Sequence, residues 1–330
     1  MVKVEIDDAV RDYALVYSQR VMASCNDVKK DLANLGTFVA DNNDWNDKSA
    51  ITDYIDLLIY DYPKVLTLEP IEWKQYIDKY TEVLKREPDM LKVKVAYRKT
   101  AKKVFKGKLY ERIIECLQYA KARVILGEIH QQMGLKTCVY CNTIPTMSNK
   151  GEVFYQMDHY LPQSLYPFLG TCFYNLQPSC DVCNGHKLTQ DCDFGLYVNS
   201  EQHKELSPFL FVPKVKNLDG PYPECEDIQF RGKGANVTKE SQAHEEMFHI
   251  NNLYAGYKDK VSKLYAKGYK LNDSVVKFMS AAFGLKPSPS DILAYLSDEI
   301  SLKENDIHKE PLMKLKQDTI KQMHDGGVID

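Results

Sequence analysis

No stretch of this chain is apolar for long enough to span a bilayer as a helix; nothing approaches the roughly 20 consecutive residues that requires. The first ten residues, MVKVEIDDAV, hold no apolar signal-peptide core, so the expected setting is the cytoplasm, away from any membrane. Internal repeats, heptad runs and low-complexity tracts are missing as well. Charge is nearly balanced: 43 Lys and Arg against 46 Asp and Glu leave a formal net charge of −3. A chain that is not a polycation must meet nucleic acid through local basic patches, or have it brought by a partner.

What remains is an ordinary globular composition, 44% hydrophobic and 27% charged, over 330 residues. That length suits two or three structural units. Residues 1–36 read as helical, and DNNDWND at 41–47 as a turn cluster. Helical pattern resumes at ITDYIDLLIYDY, stops near Pro63 and restarts at EPIEWKQYIDKYTEVLKR, where Pro suits a first helical turn. From Lys92 to Lys108 there are eight basic residues and no acid: Lys92, Lys94, Arg98, Lys99, Lys102, Lys103, Lys106 and Lys108. This stretch reads either as a groove for nucleic-acid phosphates or as a solvated helix face. Residues 109–133 follow as one amphipathic helix. Helix periodicity then vanishes until about Gly185. Residues 198–242 hold strand-like pieces, DIQFRG and ANVT, and helix returns from His244 to the end, broken at Pro287-Ser-Pro-Ser. The expected class is α+β, mainly α-helical: a helical region over 1–130, a cysteine-bearing core over 131–200, and a strand-containing segment followed by helices over 201–330.

Nine cysteines is an odd number, and four form two pairs, Cys138-Val-Tyr-Cys141 and Cys180-Asp-Val-Cys183. In a reducing compartment two such knuckles favour metal over disulfides, and four thiolates suit tetrahedral Zn²⁺ in a closed structural site. The 38 residues between the knuckles exceed the span of a compact zinc ribbon, so something folded is inserted there. Cys172 and Cys192 have no such partner and read as core thiols.

The insertion runs from a strand-like Phe154–Met157 into Asp158-His159-Tyr-Leu-Pro-Gln-Ser, then to Asn175, and the second knuckle leads straight into Asn184-Gly-His186-Lys187. Written as spacing, this is CxxC-x16-DH-x15-N-x4-CxxCN-xx-K. Over roughly residues 135–190 it closely resembles the HNH (ββα-metal) endonucleases with a four-cysteine zinc site. The Asp-His-Tyr-Leu-Pro-Gln-Ser stretch is similar to the one in the HNH domain of RNA-guided CRISPR nucleases. The resemblance implies a small ββα-metal core over 131–200 that hydrolyses phosphodiester bonds. Such hydrolysis needs an activated water and charge relief on the phosphate. A neutral His159 can take the proton from water near pH 7, and the oxygen donors of Asp158 and Asn184 suit a hard Mg²⁺ or Mn²⁺. Asn175 is implied to brace the His159 loop. Lys187 would contact a phosphate or cap the helix beginning near Asn184. His186, two residues past Asn184, is an alternative metal ligand.

His244 and His249, five residues apart, do not share a helix face well and are not read as ligands. Asn251, Asn252, Tyr254 and Tyr257 are expected to pack on the core. A zinc-framed HNH core followed by strands and an Asn-Leu-Tyr helix also resembles the nuclease subunit of Septu-type anti-phage systems. That implies a defence role, DNA as substrate and an ATPase partner of the ABC/SMC type. A stand-alone restriction-like nuclease is the neighbouring possibility. The alternative from another class is a non-catalytic zinc module binding nucleic acid or bridging proteins. A decayed scaffold would be expected to have lost Asp158, His159 or Asn184, and all three are present.

Overall fold

A computed structural model describes residues 1–100, 103–199, 205–218, 222–233, 237–270, 273–284, 288, 291–292 and 300–329. The architecture is α+β and mainly helical, with short two-stranded ribbons among the described residues. No helix among them is long and apolar enough to cross a membrane. One buried apolar cluster extends from Met1 to Ile329.

The chain begins with strand β1 (Val4–Glu5), which pairs in parallel with Tyr197–Val198 far along the sequence. Helix α1 (Asp8–Ser24) is capped by the Asp7 carboxylate, which accepts from Val10 N at 2.8 Å. It buries Val10, Ala14, Tyr17 and Val21 along one stripe, each contributing roughly 1.5–3 kcal/mol where the side chain is large. The single helix expected to Gly36 is broken at Cys25–Asp27, and α2 (Val28–Asn42) restarts beyond Asn26 and Asp27. Short polar side chains compete for backbone groups, which makes that pair a turn rather than a helical step.

Asp47 caps α3 (Lys48–Val65), which continues through Pro63 instead of stopping there. Proline in the last turn removes only one hydrogen bond of a helix that ends two residues later. Reciprocal capping by Glu69 and Glu72 then opens a 3₁₀ turn leading into α4 (Trp73–Leu84).

The basic stretch is not a helix face. It forms an antiparallel hairpin of β2 (Lys94–Thr100) and β3 (Lys103–Lys108), with Lys94 opposite Lys108. Val95 is buried between exposed Lys94 and Ala96, the period-two signature that a basic count conceals. Lys102, and the side chains of Arg98, Lys99, Lys103 and Lys106, lie outside the described residues.

The helix expected over 109–133 is two, α5 (Leu109–Cys116) and α6 (Tyr119–Gln132). Gln118 takes a left-handed conformation, φ 55°, and redirects the chain so that α6 packs against α1.

A small ribbon, β4 (Ser148–Asn149) with β5 (Glu152–Val153), precedes the antiparallel pair β6 (Gln156–His159) and β7 (Leu176–Ser179). Helix α7 (Asp181–Lys187) follows immediately, starting three residues before Asn184. After β8 (Tyr197–Val198), β9 (Phe209–Lys216) and β10 (Glu224–Gly232) make a long hairpin. The DIQFRG piece is therefore a strand. ANVT is not: Val237 and Thr238 open α8 (Val237–Phe248), and Ala235 and Asn236 lie outside the described residues. Helices α9 (Ile250–Tyr254), α10 (Lys258–Gly268), α11 (Asp273–Phe283) and α12 (Met313–Asp325) follow among the described residues; α8, α10 and α12 pack on the β9–β10 hairpin. The expected break at Pro287–Ser290 lies, except for Ser288, outside the described residues.

Candidate metal centre and adjoining cleft

The two CxxC knuckles are folded for one ion. Asn142, left-handed at φ 55°, returns its N–H to Cys138 O at 2.9 Å and so closes the first knuckle into a tight turn. The second knuckle is the start of α7: Cys180 is its extended N-cap, and its sulfur accepts from Cys183 N at 3.4 Å. The four ligand sulfurs lie within 4.8 Å of one another, all buried. A tetrahedron with Zn–S near 2.3 Å has sulfurs about 3.8 Å apart, so the donor set fits an ion of that kind. Burial, then the neighbouring Cys141 and Cys180 sulfurs, push the Cys138 thiol well up, the response of crowded thiols that only a cation allows to be charged together. No cysteine is in a disulfide.

The carbonyls of the first knuckle are held by the last third of the chain. His244 Nε2 donates to Tyr140 O at 2.8 Å, the Tyr254 hydroxyl to Cys141 O at 2.7 Å, and Leu312 N to Asn142 O at 2.6 Å. Tyr254 is fully buried and stacks on Phe211. The Asn142 amide also reaches Thr137, Ile307 O and Lys314 N. Sequence spacing carries no sign of these contacts, because every partner except Thr137 lies at least 100 residues away.

Beside the knuckles, β6, β7 and α7 bring Asp158, His159 and Asn184 to a single cleft of about 370 Å³. Tyr110, Tyr119, Gln163 and Ser164 complete much of its wall. His159 Nε2 sits 3.0 Å from Gly170 O, and its ring packs 5.2 Å from that of Tyr119. Burial lowers its pKa to about 4, against the raising effect of the Gly170 carbonyl. The imidazole is therefore neutral at pH 7.

Asp158 is 4% exposed. Its Oδ2 accepts from the Tyr140 hydroxyl at 2.5 Å and lies 3.2 Å from Lys187 Nζ. Burial raises the carboxyl pKa, while the Lys187 charge and the Tyr140 hydrogen bond oppose that rise.

Lys187 differs from both roles expected of it. It is the last residue of α7 rather than a cap at its start, and its side chain is completely buried. The ammonium donates to His159 O at 2.8 Å and pairs with Asp158, so it has no surface from which to meet a phosphate. Asn175, also fully buried, accepts from Leu161 N at 2.7 Å and donates to Leu161 O and Leu169 O, both at 3.2 Å. His186 stands outside the cleft lining, exposed, with its ring 5.1 Å from that of His249. Tyr140, Gln177 and the Gly170 carbonyl were not read from sequence. Only the position of Tyr140 inside a CxxC knuckle carried any signal.

Over 92 residues the chain is 38% identical to a Bacillus thuringiensis protein named Septu protein PtuB. The match covers 27% of this chain and 35% of that protein, so the chain spans about a third of the length of the relative it matches. No protein-family model matches the chain, and no solved structure matches it.

Proposed function

We propose that this chain is a metal-dependent endonuclease of the HNH type that hydrolyses DNA phosphodiester bonds. The carrying observation is the His159 imidazole, tied to the Gly170 carbonyl and sharing one cleft with the Asp158 carboxylate and the Asn184 amide. A carbonyl oxygen only accepts, so Nε2 keeps the proton and Nδ1 keeps its lone pair. Nδ1, neutral at pH 7, takes a proton from the attacking water. Asp158 and Asn184 offer the oxygen donors that suit Mg²⁺ or Mn²⁺, and the four cysteines suit Zn²⁺. A divalent ion bound at the oxygen donors supplies charge relief to the phosphate and the leaving 3′-oxygen. Asn175 fixes the loop that follows His159, and Lys187 holds Asp158 from behind.

The likeness to Septu protein PtuB supports a place in a Septu-type anti-phage defence system; the ATPase partner of the ABC/SMC type is what the sequence resemblance to such systems implies. The β2–β3 hairpin supports a route for the nucleic acid. It runs directly into α5, whose Tyr110 lines the cleft, and Lys108 Nζ lies 5.9 Å from the Tyr110 ring.

A plasmid-nicking assay in Mg²⁺ or Mn²⁺, with and without the ATPase, tests this reading. The wild type converts supercoiled DNA to nicked or linear form, and His159→Ala loses about a hundredfold or more. If neither protein cuts under any of these conditions, the catalytic reading fails and a non-catalytic zinc module takes its place.

A further inference from the structure

The Asp158 carboxylate is unusually well occupied for a proposed metal ligand, and its partners come from both cysteine knuckles. Tyr140 lies between Cys138 and Cys141, and Lys187 lies four residues after Cys183. The proton order along this chain of groups is fixed by its far end. Leu196 N donates to Gln177 Oε1 at 2.9 Å, so the Gln177 amide nitrogen donates to the Tyr140 oxygen. Tyr140 must then turn its own proton to Asp158 Oδ2. The same oxygen lies nearest the Lys187 ammonium, at 3.2 Å, while Oδ1 is 3.4 Å away. Each carboxylate oxygen thus accepts one hydrogen bond, Oδ2 from Tyr140 and Oδ1 from Lys187.

The charge count follows from the same geometry. Among the described residues Asp158 is the sole carboxylate lining the cleft, and the fully buried Lys187 cancels it. The other donor, Asn184, is an uncharged amide. A dication entering the cleft meets a ligand set with no net charge, and hard dications give up their water reluctantly.

We propose that Lys187 is a built-in counter-ion that makes divalent-ion binding depend on the substrate: the free protein holds the ion weakly, and a phosphate supplies the missing negative charge. Lys187 and Tyr140 are thus positioning residues acting through Asp158. This rests on the reading of the cleft as a phosphodiesterase site.

Mn²⁺ binding followed by electron paramagnetic resonance tests the proposal, with the site's signal defined as the part that Asp158→Asn removes. In the free protein, Lys187→Met removes the opposing charge at similar length and raises Mn²⁺ affinity by about tenfold or more. Lys263→Met, which removes an exposed charge on α10 outside the cleft lining, leaves that affinity within about threefold. Should Lys187→Met not fold, the same question is put to His159→Ala, which cannot turn over: adding a short DNA duplex raises its Mn²⁺ affinity by about tenfold or more. A folded Lys187→Met with wild-type affinity overturns the proposal, as does tight Mn²⁺ binding by His159→Ala that DNA leaves unchanged. The free-protein measurement does not depend on cleavage. A wild type that cuts nothing removes the nuclease reading alone, whereas an unmoved Lys187→Met removes the counter-ion alone.

Discussion

Replacing Asn175 by aspartate changes one heavy atom and removes the donor of two hydrogen bonds. Asn175 Oδ1 accepts from Leu161 N, and the aspartate oxygen at that place would do the same. The amide nitrogen, however, donates to two carbonyls, Leu161 O and Leu169 O, inside a side chain with no exposure. In Asn175→Asp a carboxylate oxygen faces those carbonyls, and only the protonated acid donates to one of them. The folded state therefore holds the proton more tightly than the unfolded chain, whose ordinary aspartate titrates near 3.9. A carboxyl raised in the folded state leaves stability intact below the unfolded pKa and removes it as pH rises, by about 1.4 kcal/mol per unit until the folded pKa is passed. One of the two carbonyls loses its partner even at low pH, which costs roughly 1–2 kcal/mol. Urea unfolding of mutant and wild type at pH 5 and pH 7.5, compared pair by pair, is the assay. The expected penalty is about 3 kcal/mol at pH 5 and about 4 kcal/mol or more at pH 7.5. A penalty that is flat with pH, or below about 1 kcal/mol throughout, refutes the assignment of both carbonyls to the Asn175 amide.

The wild type should itself be acid-labile, with the opposite sign. Burial lowers the pKa of His130 and of His308 to about 3, so both fold neutral and the unfolded chain takes up protons first. Their stability is complete above about 6.5 and is lost as pH falls below it, by about 2 kcal/mol each at pH 5. Unfolding curves should show that loss, and His130→Gln should shed about half of this two-histidine contribution; a slope unchanged in the mutant would count against it. Removing by chelation a metal ion held at the four cysteines should loosen more than the knuckles, because Tyr254, His244 and Leu312 bond to knuckle carbonyls. Hydrogen exchange should then quicken in α8, α9 and α12 by about tenfold or more, whereas exchange confined to residues 138–142 and 180–184 would show the clamp to be passive.

The four-cysteine cluster was legible in the sequence because thiolate chemistry demands a short spacing, and two knuckles at that spacing leave little freedom. The Asp-His pair was legible for a related reason: adjacent residues at a strand end can serve one cleft, as both do here. Secondary structure was less so. The basic stretch from Lys92 hid its alternation under charge, and the break at Gln118 depends on a left-handed residue that glutamine does not announce.

What lay beyond reading was the environment of each group. Lys187 looked like a phosphate ligand because lysines in nuclease motifs stand near phosphate, and no spacing rule says whether a side chain is exposed. Burial decides its chemistry. With no exposure, its ammonium needs a permanent partner, and Asp158 and the His159 carbonyl supply one. That pairing converts an acid expected to attract cations into one already compensated. The two knuckles therefore do more than gather four sulfurs that could hold a metal ion. Through Tyr140 and Lys187 they set the orientation and net charge of the carboxylate next door, so loss of the structural ion should disturb the cleft before it unfolds the helices around it.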